Sequence, residues 1–202
     1  DYTFNETEYT ITDNKQTNAG DYSLYITGKG NFTGTKTVSY EIAKATPSLE
    51  DFEILSYDSE VDYTGVAVEL PLPTTNKIGM GNTYIETYVR NAGTYDVTFR
   101  VSEGTNYTAA SGFTYGTITV NKVYRNISTT DAVVGINGKM IDLDERVAGE
   151  ENIGVTFTIV AGDDLGCTIN GRIFVSGSKA GNVTVQVTVS GNNNYLDTIR
   201  TF

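Results

Sequence analysis

The chain has 202 residues, of which 39 % are apolar and only 19 % charged; it carries a net charge of −11, no histidine and a single cysteine. No basic patch offers a footprint for nucleic acid, and no apolar run is long enough to span a membrane. Without histidine, neither a Ser-His-Asp or Cys-His catalytic set nor His-ligated zinc can be built, and one cysteine allows no intramolecular disulfide.

Thr, Asn, Gly, Val and Tyr dominate, a mixture that favours strands and turns. No stretch repeats its apolar residues at a helical period. Short alternating runs broken by glycine predict an all-β chain of sandwich or barrel type.

In chain order, Tyr2, Phe4, Tyr9 and Ile11 alternate within residues 1–17. Asn18-Ala19-Gly20 then predicts a tight turn in which glycine supplies a positive φ. A strand through Tyr22, Leu24 and Ile26 follows, then the loop Gly30-Asn31-Phe32 and a strand through Val38, Tyr40 and Ile42. Lys44-Ala45-Thr46-Pro47 reads as a linker. The same succession returns with Asn91-Ala92-Gly93, an alternating run through Tyr95, Val97, Phe99 and Val101, the loop at Asn106-Tyr107, and a strand through Ile118 and Val120. Asn121-Lys122-Val123 reads as the second linker. A third copy runs through Lys179-Ala180-Gly181, then Val183, Val185, Val187 and Val189, then Asn194-Tyr195. Self-similarity at this spacing marks repeated modules. It predicts a partial module over 1–46 and complete ones over 47–122 and 123–202.

These residues carry a resemblance. The turns at 18–20, 91–93 and 180–181, the segments Asp1-Tyr2-Thr3, Tyr63-Thr64-Gly65 and Thr168-Ile169-Asn170-Gly171, and the Asn-aromatic loops are similar to bacterial immunoglobulin-like repeats. Such repeats are strung along large surface proteins of Firmicutes and gut bacteria. The likeness covers nearly the whole chain. It implies tandem immunoglobulin-like β-sandwich modules in an elongated, extracellular, cell-surface or secreted protein. Two strands that such repeats place before the Asp1-Tyr2-Thr3 segment are missing, so 1–46 matches only the C-terminal half of a repeat. Its strands would lack half a core, and self-association through 1–46 is the expectation. The chain reads as a fragment of something larger.

Residues that could carry chemistry are few. Asp142, Asp144 and Glu145, Glu150 with Glu151, and Asp163 with Asp164 are clustered carboxylates that could attract calcium. None follows a recognised loop pattern, and solvated turns explain them equally well. Adjacent strand positions face opposite ways, so none makes a glycosidase pair by itself. No catalytic, cofactor or metal residue is therefore assigned. Lys44, Lys122 and Lys179 are candidates for the isopeptide bonds that the resemblance brings to mind, but no acid sits at a buried strand position beside them. Sequons at Asn5, Asn31, Asn106, Asn126 and Asn182 are read as unmodified. Cys167 is expected to be a small buried hydrophobe. Tyr22 and Tyr95 resemble tyrosine-corner positions. Tyr25, Tyr84 and Tyr88 are the candidate binding surface, because exposed tyrosines offer contact area at low entropic cost; ordinary cross-strand pairing is the competing account.

Two function classes stand open. One is a non-catalytic spacer or adhesion segment. The other is a module that binds glycan or a host or bacterial surface protein, accessory in one version to a secreted hydrolase. Catalysis by the chain itself is a distant third. No cofactor, nucleic acid or membrane insertion is expected.

Overall fold

A computed structural model describes residues 3–13, 15–149 and 154–202. It is all-β, with 45 % of the described residues in strands and no helix of seven residues or more among them. Strands β1 (Tyr9–Thr12), β2 (Gly20–Gly28) and β3 (Thr35–Ile42) precede β4 (Glu60–Asp62), β5 (Thr83–Ile85), β6 (Gly93–Val101) and β7 (Ala110–Asn121). Then come β8 (Val123–Tyr124), β9 (Ile127–Thr129), β10 (Met140–Asp142), β11 (Val147–Gly149) and β12 (Val155–Ala161). The last are β13 (Thr168–Asn170), β14 (Ile173–Val175), β15 (Thr184–Val189), β16 (Tyr195–Leu196) and β17 (Thr198–Thr201). The chain divides into two compact units.

The first unit comprises Asp1–Ser59, Val68–Val89 and Tyr95–Ile118. Its opening sheet is antiparallel in the order β1-β2-β3, with Tyr22 opposite Tyr40 and Leu24 opposite Val38. No described residue of 1–46 is buried, and Val38 and Ile11 stay exposed. The core of the unit lies elsewhere. In β6 the side chains of Val97, Phe99 and Val101 are buried while Asp96 and Arg100 face water, the period-two pattern of a half-buried strand. Phe99 is the hub: its ring lies 4.9 Å from Phe52 in an edge-to-face contact, 5.1 Å from Phe113 and 5.8 Å from Tyr115. Burial raises the Tyr115 phenol above its ordinary range, with Tyr57 adding to the shift, and the hydroxyl donates to the Pro71 carbonyl at 3.0 Å.

The second unit comprises Glu60–Ala67, Arg90–Thr94 and Thr119–Phe202. Two three-stranded antiparallel sheets, β10-β14-β13 and β12-β15-β17, supply most of its core. Phe174 from the first and Val185 from the second share one apolar cluster with Leu143. Val187 and Val189 continue the buried face of β15 onto Ile127. Sheet against sheet across such a core is the layering of a β-sandwich.

Glycine geometry separates the three related turns. Gly20 and Gly93 take φ of 150° and 149°, as the turn motif predicted, but Gly181 does not share that positive-φ conformation. Gly20 and Gly93 are also the first residues of β2 and β6, whereas Asn182 and Val183 separate Gly181 from β15.

Candidate functional site

The most specific side-chain geometry sits where the loop asparagines meet the Asn-Ala-Gly turns. In the first unit, Ala19 N–H donates to Asn106 Oδ1 at 2.9 Å, while Asn106 Nδ2 donates to Asn18 Oδ1 at 3.0 Å and to the Ile78 carbonyl at 3.1 Å. A backbone N–H can only donate, so it fixes Oδ1 towards Ala19 and leaves Nδ2 for the two acceptors. In the second unit, Ala92 N–H donates to Asn194 Oδ1 at 2.8 Å, and Asn194 Nδ2 donates to Asn91 Oδ1 at 3.2 Å. The two arrangements are the same clasp.

Backbone pairing beside each clasp repeats as well. Ala45 N–H donates to the Asn106 carbonyl and Thr108 N–H to the Ala45 carbonyl, both at 2.9 Å, forming a parallel bridge of Ala45 with Tyr107. Val123 N–H donates to the Asn194 carbonyl at 3.3 Å, and β8 pairs in parallel with β16, Val123 opposite Tyr195. A lysine precedes each pairing residue and reaches the same loop. Lys44 forms an ion pair with Glu103, and Lys122 Nζ donates to the Asn192 carbonyl at 2.9 Å. The hydrogen bond and positive charge of Lys44 hold the Glu103 carboxyl below its usual range. Both stretches read as linkers in the sequence are hydrogen-bonded into the fold. Tyr22 completes the first turn, its hydroxyl donating to the Asn18 carbonyl at 2.9 Å, a bond back to backbone four residues upstream as in a tyrosine corner.

The three candidate tyrosines do not share one sheet. Tyr25 lies on β2, opposite Thr37, and is 40 % exposed. Tyr84 lies on β5, equally exposed, with the Arg100 guanidinium 4.3 Å above its ring. Tyr88 follows β5 and is 70 % exposed. Spacing puts Tyr84 and Tyr88 on the same face of an extended segment.

Cys167 corrects the burial expectation: it is half-buried, just before β13, with its Sγ accepting from Gly177 N–H at 3.2 Å. It lines a cavity of about 570 Å³ together with Val133, Ile136, Leu165, Ala180 and Gly181. Beside it Val134 packs against the Leu143–Phe174–Val185 cluster, while Val133 is fully exposed.

Asp142 and Asp144 are brought together, but around a cation of the chain itself: Arg172 contacts each carboxylate at 3.3 Å. Asp163 and Asp164 lie in an exposed 3₁₀ turn, and Lys179 Nζ donates to the Asp164 carbonyl. Glu150 and Glu151 lie outside the described residues, as do Asp1 and Tyr2. Among the described residues no group of three or more acidic or cysteine side chains is placed to hold a metal ion, and no helix is long and apolar enough to cross a membrane. No protein-family model matches this chain, and no curated protein matches it.

Proposed function

We propose that this chain is a non-catalytic structural segment of a bacterial extracellular surface protein, a spacer or adhesion element made of tandem immunoglobulin-like β-sandwich modules. The observation that carries the reading is the clasp used twice. In each case the Asn-aromatic loop of one repeat holds the Asn-Ala-Gly turn of the repeat before it. A chain that spends the same polar side chains on the same joint twice is organised for succession. A catalytic chain concentrates its polar groups in one cleft instead. The joint also explains why the linkers are short, since Ala45 and Val123 each form part of it. The acidic surface suits a soluble, extended role. Small-angle scattering tests the reading: an elongated particle is expected, and a compact globule of the same mass overturns it.

A second reading, binding of glycan or of a host or bacterial surface protein, is favoured by one observation. Tyr88 is left 70 % exposed on the face that carries Tyr84 over Arg100. Tyr25, on another sheet, would belong to a separate contact. Retention on a panel of immobilised glycans and surface proteins, lost in Tyr88→Ala without a change in unfolding midpoint, would support it. Equal retention by wild type and variant would remove Tyr88 from any such role.

A further inference from the structure

Three pairings in the chain run parallel: the bridge of Ala45 with Tyr107, β4 with the end of β7, and β8 with β16. The sheets β1-β2-β3, β10-β14-β13 and β12-β15-β17 are antiparallel. The difference matters when the chain is under tension. Of two paired strands, the earlier is then drawn towards its N-terminal end and the later towards its C-terminal end. In an antiparallel pair those two ends lie side by side, so the ladder unzips one bond at a time. In a parallel pair they lie at opposite ends of the ladder. The strands must then slide past each other, and the bonds between them share the load.

Side chains reinforce all three pairings. Glu60 lies opposite Thr119, Val61 opposite Val120 and Asp62 opposite Asn121, and Tyr63 N–H donates to the Asn121 carbonyl at 3.0 Å. Asn121 Nδ2 ties the same strand a second way, donating to Glu60 Oε1 at 2.9 Å and to Asp62 Oδ1 at 3.4 Å. Residues two apart on a strand share a face, so one amide bridges two carboxylates that otherwise only repel. Beside the Ala45 bridge, Thr108 Oγ1 donates to the Ala45 carbonyl at 3.4 Å and Lys44 pairs with Glu103. Beside β8, Arg125 N–H donates at 2.9 Å to Oγ1 of the fully buried Thr198. The Arg125 guanidinium lies 4.3 Å above the Tyr195 ring. We propose that these parallel pairings are clamps that carry tension along the chain, with Asn121 locking the clamp between β4 and β7. A spacer is pulled whenever its far end is held, so the proposal rests on the reading of this chain as a surface spacer. Resistance of this kind lies in the rate of opening under load and not in equilibrium stability.

The test is constant-force spectroscopy on the full chain, with handles attached through engineered cysteines in a Cys167→Ala background. Handles at Ser59 and Lys122 pull along the β4–β7 ladder from its opposite ends. Handles at Ser59 and Thr117 pull across the same ladder from one end. All three positions are exposed. At equal force, the lifetime before opening should be at least about tenfold longer along the ladder, because bonds of ordinary net strength then break together. Asn121→Ala should shorten that lifetime by about tenfold, and the lifetime across the ladder by no more than about threefold, since peeling meets its bonds in turn. Equal lifetimes in the two directions overturn the proposal, and so does an Asn121→Ala loss of equal size in both. The comparison of directions leaves Asn121 in place, so it decides the matter even where that variant folds poorly. It also stands apart from the spacer reading: equal lifetimes remove the clamp whatever the particle's shape, whereas only scattering from a compact particle removes the spacer.

Discussion

Phe99→Ala should lower the stability of the first unit by about 3–5 kcal/mol, the range for deleting a buried aromatic ring. Phe99 is fully buried and touches three other rings, so truncation removes transfer energy and leaves a void that Phe52, Phe113 and Tyr115 can only partly fill. Domains of this size have about 5–15 kcal/mol in hand, so the loss takes a large share of the total. The measurement is a urea unfolding curve followed by tyrosine fluorescence or circular dichroism, since the chain has no tryptophan. The midpoint should fall with little change in slope, because the surface exposed on unfolding is nearly the same. Tyr88→Ala, on an exposed side chain, should move the midpoint by no more than about 0.5 kcal/mol. Equal effects in the two variants would mean that the four-ring cluster is not the core of the unit.

Asn106→Ala should have the second-largest effect, about 1–3 kcal/mol, the cost of leaving partly buried polar groups without partners. The substitution strips the Ala19 N–H of its acceptor and two oxygens, Asn18 Oδ1 and the Ile78 carbonyl, of their donor. The side chain is closely held: a Cβ added at Gly79 would lie 2.6 Å from Asn106 Nδ2. Asn106→Asp should not rescue it. A carboxylate still accepts from Ala19, but it cannot donate and sets an anion against the two oxygens. Asn194→Ala loses fewer bonds and should cost less. If Asn106→Asp proved as stable as wild type, the two Nδ2 hydrogen bonds would carry no weight.

Much of this fold was legible where periodicity is strong. Tyr95 to Val101 and Val183 to Val189 alternate without interruption, and β6 and β15 bury the expected sides. Glycine at 20 and 93 announced a positive φ that the turns do adopt. The clasps were not legible. Asn106 and Ala19 are 87 residues apart, and Asn194 and Ala92 are 102 apart. A loop asparagine is common enough for purely local reasons to conceal a distant partner. The signal that could have found them was the pairing of two recurrent motifs, since turn and loop recur together. Ala45 and Val123 escaped because a single parallel bridge or a two-residue strand has no period to read. Gly181 shows the limit of motif transfer: the same residue in the same place adopts another conformation where Lys179 stands in place of the turn asparagine and bonds to the Asp164 carbonyl.

The first clasp also bears on the choice of host for making the protein. Asn106-Tyr107-Thr108 is an acceptor sequence for N-linked sugar, whereas Asn194-Tyr195-Leu196 is not. A glycan attaches through Nδ2, the atom that already serves Asn18 and Ile78. The bond to sugar takes one of its two hydrogens, and the saccharide needs room that the neighbouring turn and Gly79 occupy. Passage through a eukaryotic secretory pathway therefore sets the first joint against a competitor that the second never meets. Material secreted from yeast or animal cells should be either unglycosylated at Asn106 or loosened at that joint alone.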